Sequence, residues 1–235
     1  MRYVDWRRDD RLVLERNEAY WGAPFFFSRV VFSCERNPLT LLNKALSREL
    51  DWTAISQKDQ FLQIASDANV TSGRVLRKEY DYPGYRYIGY NLRRPFLGER
   101  DVRHALSSCV PVDDIIREVF KGLARPLTGP FQPGTPAYNP SVPRVAYDLK
   151  KAAELLDRAG WKDTDQDRVR DKLIDGRRMP ARFKLMIYGD APQYLAAAQL
   201  IQANCRKVGV DVVIDPAKWA LMLDRLRTKD FDAAM

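Results

Sequence analysis

The alternation of strand and helix patterns near the end of the chain constrains the fold most. Residues 183–188 form a mainly apolar run typical of a strand, and Pro192 then opens a helical pattern that Gly209 ends. A second strand pattern (residues 210–214) and a second helical pattern (residues 217–227) follow. The resulting β-α-β-α order predicts an α/β fold with a mixed α+β composition.

Local start and stop signals predict further helices. Asp148 caps an amphipathic pattern that Gly160 ends, and Trp161 is placed to pack back on the last helical turn. Other helices are predicted to begin at Asn37-Pro38, at Asp101 and at Pro111.

Strand patterns also occur in the first part of the chain. Residues 11–16 and 28–34 are short apolar and β-branched runs, which predict two strands. A turn at residues 82–84 precedes the aromatic run at residues 85–91, which is also typical of a strand.

Two further connections are predicted. Residues 125–143 carry six prolines, which indicates a long and stiff surface loop. Residues 168–174 are predicted to face the strand at residues 183–188 across a hairpin-like connection at Asp175-Gly176.

The distribution of charge along the chain argues against nucleic acid or an anionic membrane as a partner. The formal net charge is +8, from 39 Lys and Arg against 31 Asp and Glu. Basic and acidic residues are interleaved, with only short basic pairs such as Arg93-Arg94 and Arg177-Arg178, so we expect a solvated surface. No apolar run reaches the roughly 18 residues that a membrane-spanning helix needs.

The sequence gives no support for catalysis or for a metal site. Cys34, Cys109 and Cys205 lack metal-ligand spacing and lie in apolar segments, which predicts three buried free thiols. His104 is the only histidine, and no nucleophile elbow, zinc motif or phosphate loop accompanies it. We therefore expect no catalytic residue and no cofactor, and a hydrolase that uses His104 or a pair of aspartates brought together by folding is the alternative.

Residues 163–167 partly match a calcium-binding loop. Asp163, Asp165 and Asp167 alternate as calcium ligands do, but Arg168 stands where the turn needs glycine and Ile174 where the bidentate glutamate belongs. We interpret this segment as a charged surface loop.

Aromatic residues are candidates for a ligand groove, because rings with polar tips hold peptide or sugar faces well. Core packing is the competing interpretation, and for Tyr87 and Trp219 the two interpretations are balanced. The candidates are Tyr80, Tyr82, Tyr85, Tyr87, Tyr90 and Trp219.

A series of short segments, in this order along the chain, resembles the bacterial extracellular solute-binding proteins of family 5, which are the oligopeptide-, dipeptide- and nickel-binding components of ABC importers. The segments include NEAYWG (17–22), YIGYN (87–91), DVRHAL (101–106), DDII (113–116), PGTPAYNP (133–140), YDLKKA (147–152), AQLIQ (198–202) and DFDAAM (230–235).

The resemblance implies a binding protein without enzymatic activity. Its fold would be a lobe of the type II periplasmic-binding class, and the whole protein would be a two-lobed clamshell. It would capture short peptides and deliver them to a membrane permease, in the periplasm or outside the cell, with a lipid anchor in some relatives. A nickel complex, an opine or a sugar is the alternative ligand.

The resemblance also assigns regions and residues. Residues 1–86 correspond to part of a first lobe and residues 87–235 to a second lobe, truncated at its C-terminal end. Tyr87, Tyr90, Asn91 and Trp219 match positions near the cleft. Because family members extend beyond both ends of the matching segments, we expect a fragment that binds ligand poorly alone and could associate with itself.

Overall fold

The computed structural model describes residues 1–55, 57–82 and 84–235, and the chain divides into two units, Met1–Tyr80 and Asp81–Met235. This division falls a few residues before the lobe boundary at residues 86 and 87 that the resemblance implies. The assignment of the two lobes stays a prediction. Pro83, at the centre of the turn predicted for residues 82–84, lies outside the described residues.

The Met1–Tyr80 unit begins with a three-stranded antiparallel sheet in the order β1-β2-β3. The strands are β1 (Arg2–Arg7), β2 (Arg11–Glu15) and β3 (Arg29–Ser33). The two predicted strands are thus confirmed, whereas β1 was not predicted. Cys34 is exposed, so the prediction that it is buried is wrong. The reason is that β3 is an edge strand with no buried side chain, and Cys34 follows it directly.

Short helices complete this unit. They are α1 (Pro38–Leu46), α2 (Lys58–Gln63), a 3-10 turn (Ile64–Ser66) and α3 (Ala68–Thr71). The predicted start of α1 is confirmed, because the Asn37 side chain accepts hydrogen bonds from the backbone N–H groups of Leu39 and Thr40 at 2.9 and 3.1 Å.

The Asp81–Met235 unit is built on a four-stranded sheet in the order β4-β9-β7-β8. The strands are β4 (Gly89–Tyr90), β7 (Arg182–Tyr188), β8 (Asp211–Ala217) and β9 (Ala233–Ala234). β8 and β9 run parallel to β7, and β4 runs antiparallel to β9. The α/β fold predicted from the strand and helix order is therefore confirmed.

Helices cover both faces of this sheet. The helices of the unit are α4 (Pro95–Gly98), α5 (Arg100–Ser108), α6 (Val112–Asp114, continued by a π-helical turn Ile115–Val119), α7 (Leu149–Arg158), α8 (Pro192–Lys207) and α9 (Trp219–Thr228). Phe183, Leu185 and Ile187 alternate onto one face, where they share a buried cluster with residues of α5, α7 and α8. Met186 faces the other way and packs with Met222 of α9.

The end of α7 has the geometry that the sequence predicts. Asp148 accepts a hydrogen bond from the Lys151 N–H at 2.9 Å, and Gly160 takes the left-handed conformation with φ 83°. The chain then folds back, and the Trp161 N–H donates to the Leu156 carbonyl oxygen at 2.9 Å. The Trp161 side chain is fully buried as a result.

In the hairpin predicted for residues 168–188, the first strand pairs with a different strand from the one expected. β5 (Asp171–Ile174) pairs with β6 (Arg177–Pro180), and the strand at residues 182–188 pairs with β8 and β9 instead. Asp175 and Gly176 both have positive φ, 49° and 75°, so this two-residue turn reverses the chain at once. The prediction of a long-range partner was therefore wrong, because the turn selects the residues immediately after it.

Asp171 is a buried carboxylate in β5. Its two oxygens accept hydrogen bonds from the Thr164 hydroxyl at 2.7 and 2.9 Å, and one oxygen also accepts from the Thr164 N–H and from Arg178. The Arg178 guanidinium, followed by the Thr164 bonds, lowers the pKa of Asp171 from its usual 3.8 to about 2. Folding therefore favours the ionised form.

Replacing Asp171 with asparagine is expected to reduce the pH dependence of stability in acid. The native protein keeps the whole contribution of the ionised Asp171 above its unfolded pKa of 3.8 and loses it as the pH falls through about 2. Asp171→Asn should thus lower the urea midpoint at neutral pH, and its difference from the native protein should shrink toward pH 2. A difference that stays constant over this range contradicts the assignment, and Thr164→Val should show an intermediate effect.

Candidate functional site

The carboxyl ends of the parallel strands form one edge of the sheet, which we call the carboxyl edge. It consists of Tyr188 at the end of β7, Ala217 at the end of β8, and Ala234 at the end of β9. In open α/β sheets, ligands bind outside this edge. Because β4 is antiparallel to β9, the segment that leads into β4 also lies there.

The register places Tyr87 at this edge. Ala234 pairs with both Gly89 and Met186, so Tyr87, two residues before Gly89, is level with Tyr188, two residues after Met186. Tyr188 in turn pairs with Ala217 at the end of β8. The outer strands of this four-stranded edge are about 14 Å apart, as three strand spacings of about 4.8 Å require.

Two of the four residues assigned by resemblance are exposed at this edge. Tyr87 is 65% exposed, and its ring centre lies 5.4 Å from that of Tyr85. Trp219 is the first residue of α9, is 57% exposed, and meets the Tyr188 ring edge-on at 6.1 Å between centres. Both rings can therefore contact a ligand outside the carboxyl edge.

Tyr90 points into the unit rather than toward the carboxyl edge. Its ring packs against the buried cluster of the sheet and lies 6.5 Å from the Phe183 ring. Burial raises the pKa of the Tyr90 phenol well above its usual value, so the group stays neutral and protonated. The Tyr90 side chain therefore contributes to packing within the unit.

Asn91 connects β4 to the segment between α9 and β9. It is buried, and its side-chain N–H groups donate to the carbonyl oxygens of Lys229 at 3.1 Å and Phe231 at 2.7 Å. Its backbone N–H donates to the Asp232 carbonyl oxygen at 2.8 Å. Asn91 thereby fixes the strand that leads from Tyr87.

Ligand contact by the four assigned residues stays a prediction. Of these four, Tyr87 and Trp219 expose their rings.

Two residues at this edge were not assigned from the sequence. Tyr188 supports Trp219, and the guanidinium of Arg86 lies over the rings of Phe120 and Tyr194 at 5.0 and 5.5 Å. Strand periodicity could have distinguished Arg86 from its neighbours, because Tyr85 and Tyr87 share one face of the run while Arg86 falls on the other. Arg86 lies within the aromatic run at residues 85–91 but was not among the candidates for ligand contact.

Two small cavities lie elsewhere in the Asp81–Met235 unit. One, of about 90 Å³, is lined by residues of β7, β8, α9 and the segment after α9, including Lys184, Asp215 and Arg225. The other, of about 230 Å³, lies near the start of β7 and β8 and includes Arg182 and Asp211. Neither of these two cavities includes the assigned residues, two of which are instead exposed at the carboxyl edge.

The groups considered for catalysis and metal binding lie outside the carboxyl edge. His104 is exposed on α5, and its Nε2 accepts a hydrogen bond from Arg100 at 3.3 Å. Asp163, Asp165 and Asp167 are exposed, with carboxylate oxygens within 4.8 Å of one another. Arg178 forms an ion pair with Asp165 and lowers the pKa of that carboxyl.

Three cysteines were predicted to be buried, and the prediction is confirmed for Cys109 and Cys205. A contact with Cys109 and burial raise the pKa of the Cys205 thiol, which keeps it protonated.

Among the helices in the described residues, none has the length and apolar character that crossing a membrane requires.

Comparison with known proteins matches this architecture to one family. The chain is 22% identical to the oligopeptide-binding protein AppA of Bacillus subtilis over 99% of its length, and 25% identical to the dipeptide-binding protein of Escherichia coli over 98%. It is also 26% identical over 85% of its length to the nickel-binding periplasmic protein of Escherichia coli. The chain spans 42%, 40% and 37% of these three relatives, respectively.

Solved structures share the fold. The chain superposes over 99% of its length on NikA from Brucella suis in complex with Fe(III)-EDTA, with a TM-score of 0.78 and 24% identity. AppA from Bacillus subtilis in complex with a nonapeptide gives a TM-score of 0.75 at 23% identity. The chain covers 46% and 45% of those structures. The predicted type II periplasmic-binding fold is confirmed by these neighbours.

The sequence matches the family described as "Bacterial extracellular solute-binding proteins, family 5 Middle" over residues 2–235. This match covers nearly the whole chain and agrees with both the relatives and the shared fold. The protein therefore belongs to the family 5 bacterial extracellular solute-binding proteins.

Proposed function

We propose that this protein is the substrate-binding component of an ABC importer, and that it captures short peptides and delivers them to a membrane permease. The observation that carries the proposal is the exposed aromatic pair Tyr87 and Trp219, on the two outer sides of the carboxyl edge. Relatives named for oligopeptide and dipeptide binding support the peptide as the ligand class.

The dimensions of the carboxyl edge suit a short extended peptide. A span of about 14 Å corresponds to roughly four residues at about 3.3 Å each. Exposed Tyr and Trp rings offer apolar faces to the side chains of a peptide and polar tips to its amide groups. In this arrangement Tyr90 and Asn91 act indirectly, because they hold the strand that carries Tyr87.

The protein acts by binding rather than by catalysis in this proposal. His104 lies on α5 with Arg100 as its hydrogen-bond partner, and the family consists of solute-binding proteins. The proposed location is the periplasm or the outer surface of the cell, in keeping with the extracellular family. Residues 1–86 and 87–235 are proposed to contribute to the first and second lobes of a clamshell that closes on the ligand.

Isothermal titration calorimetry of the full-length protein with a panel of short peptides is expected to give saturable, stoichiometric binding without release of cleaved products. Native mass spectrometry of the purified protein should detect a co-purified peptide that exchanges with the added one. His104→Ala should bind the same peptides unchanged.

Three outcomes would assign a different function. Binding of nickel complexes, an opine or a sugar with no response to peptides would change the ligand class. A relative named for nickel binding is the reason to include nickel complexes in the test. Cleavage of peptides that is lost in His104→Ala would indicate a hydrolase. DNA binding that falls steeply with salt would indicate a nucleic-acid partner.

A further inference from the structure

We propose that Arg86 binds a carboxylate group of the ligand and so makes the site selective for ligands that carry one. This inference rests on the proposed function, because it concerns the ligand of the same carboxyl edge.

The position of Arg86 follows from the register of the sheet. Tyr87 is level with the end of β7, so Arg86 is one residue farther out, beyond the paired strands. The side chains of Ile88 and Tyr90 pack into the buried cluster beneath α5, α7 and α8. By strand alternation, Arg86 extends on that same side, at the opening of the carboxyl edge rather than within the core.

Two aromatic rings hold the Arg86 guanidinium in place. Its central carbon lies 5.0 Å from the ring centre of Phe120, which is buried, and 5.5 Å from that of Tyr194 in the first turn of α8. Contacts of this kind attract the cation and limit the rotation of the side chain. The planar guanidinium carries five N–H donors, and an aromatic ring offers none of them a conventional oxygen or nitrogen acceptor through its face.

The N–H donors of Arg86 have no carboxylate partner within the described residues. Some arginines of the same unit do have one: Arg94 pairs with Asp232, Arg170 with Asp157, and Arg225 with Asp215, at 2.8, 2.5 and 2.8 Å. The residue beside Tyr87 thus combines a fixed guanidinium with unused donors. A planar carboxylate fits such a fork with two parallel hydrogen bonds.

The carboxylate can come from the C-terminus of a peptide or from an acidic side chain, and paired ligands separate these sources. Calorimetry on the full-length protein would use one peptide as the free acid and as the C-terminal amide, and a second pair of amidated peptides that differ by Asp and Asn. We expect the native protein to prefer the acid form of one pair by about 10- to 100-fold, the range for a charge-assisted bond.

In Arg86→Gln, the preference for that acid form should fall to about twofold or less, whereas the amide form should bind as in the native protein. Arg86→Lys keeps the charge without the planar fork and should retain part of the preference. Arg93→Gln is the matched control, because Arg93 is an exposed arginine that follows β4 at the opposite end of the strand. It removes the same charge and should leave the preference intact.

Each remaining result overturns the inference. An unchanged acid preference in Arg86→Gln excludes the carboxylate contact. Equal weakening of the acid and amide forms assigns Arg86 to holding Phe120 and Tyr194 in place, and thermal unfolding would show the accompanying loss of stability. Failure of the native protein to bind any peptide overturns the proposed function and this inference with it, whereas peptide binding without acid preference overturns this inference alone.

Discussion

Replacing Trp161 with alanine is expected to lower the free energy of unfolding of the Asp81–Met235 unit by about 3–5 kcal/mol. The Trp161 side chain is fully buried, and its ring meets that of Phe96 edge-on at 4.6 Å. Alanine would leave a cavity between α4, the end of α7 and the sheet. Since natural domains are stable by about 5–15 kcal/mol, this loss is a large fraction of the total.

A polar contact adds to the cost of losing the ring. The Trp161 indole N–H donates to a Glu99 oxygen at 3.2 Å, and Lys172 forms an ion pair with the same carboxylate at 2.9 Å. The Lys172 ammonium also lies 5.8 Å from the Trp161 ring. The substitution therefore removes a hydrogen bond from Glu99 as well as apolar packing.

Urea unfolding followed by circular dichroism would measure the change, with hydrogen exchange of the β7 amides reporting this unit alone. Trp161→Phe is the graded control, because it keeps a ring against Phe96 and loses only the N–H donor and part of the volume. A loss below about 1 kcal/mol in Trp161→Ala would contradict the packing at this position.

The local features of this fold could be predicted from the sequence because their causes are local. Asn37 and Asp148 supply side-chain oxygens to the first amide groups of α1 and α7. Gly160 allows the left-handed turn that buries Trp161. The order of strands and helices around β7, α8 and β8 likewise follows from hydrophobic patterns within single segments.

Long-range pairing could not be predicted in the same way. β4 joins the sheet through β9, and Asn91 bonds to carbonyl groups 138 and 140 residues later in the chain. Similarly, Arg170 bonds to Asp157, to the Trp161 carbonyl oxygen and to the Val208 carbonyl oxygen, and so joins the ends of α7 and α8. No pattern in one segment specifies such contacts.

The candidate site shows the same limit. The aromatic run at residues 85–91 predicts a strand near a ligand, but a residue's side of the strand depends on the register with β9. That register leaves Tyr87 exposed and buries most of Tyr90, although both are tyrosines in one short motif. For Trp219 the sequence left core packing and ligand contact balanced, and its position as the first residue of α9 accompanies an exposed ring.

Replacing Trp219 with alanine is expected to weaken peptide binding by the full-length protein about 30-fold, or about 2 kcal/mol, as truncation of a central aromatic contact does. Trp219 presents an exposed ring at the carboxyl edge, with Tyr188 as an aromatic neighbour. Its removal takes away contact area for the ligand and little packing within the protein. Calorimetric titration would measure the affinity.

Trp219→Ala should lower the affinity for peptide and leave the stability nearly unchanged, whereas Trp161→Ala should lower the stability. Trp219→Ala should change the free energy of unfolding by no more than about 0.5 kcal/mol, as exposed substitutions usually do, whereas Trp161→Ala should lose 3–5 kcal/mol, the usual range for a buried Trp. Leu221→Ala, a second exposed apolar residue of α9, controls for a general effect on that helix. Native affinity in Trp219→Ala, or an equal loss in Leu221→Ala, would remove Trp219 from the ligand site and leave Tyr87 as the aromatic contact at this edge.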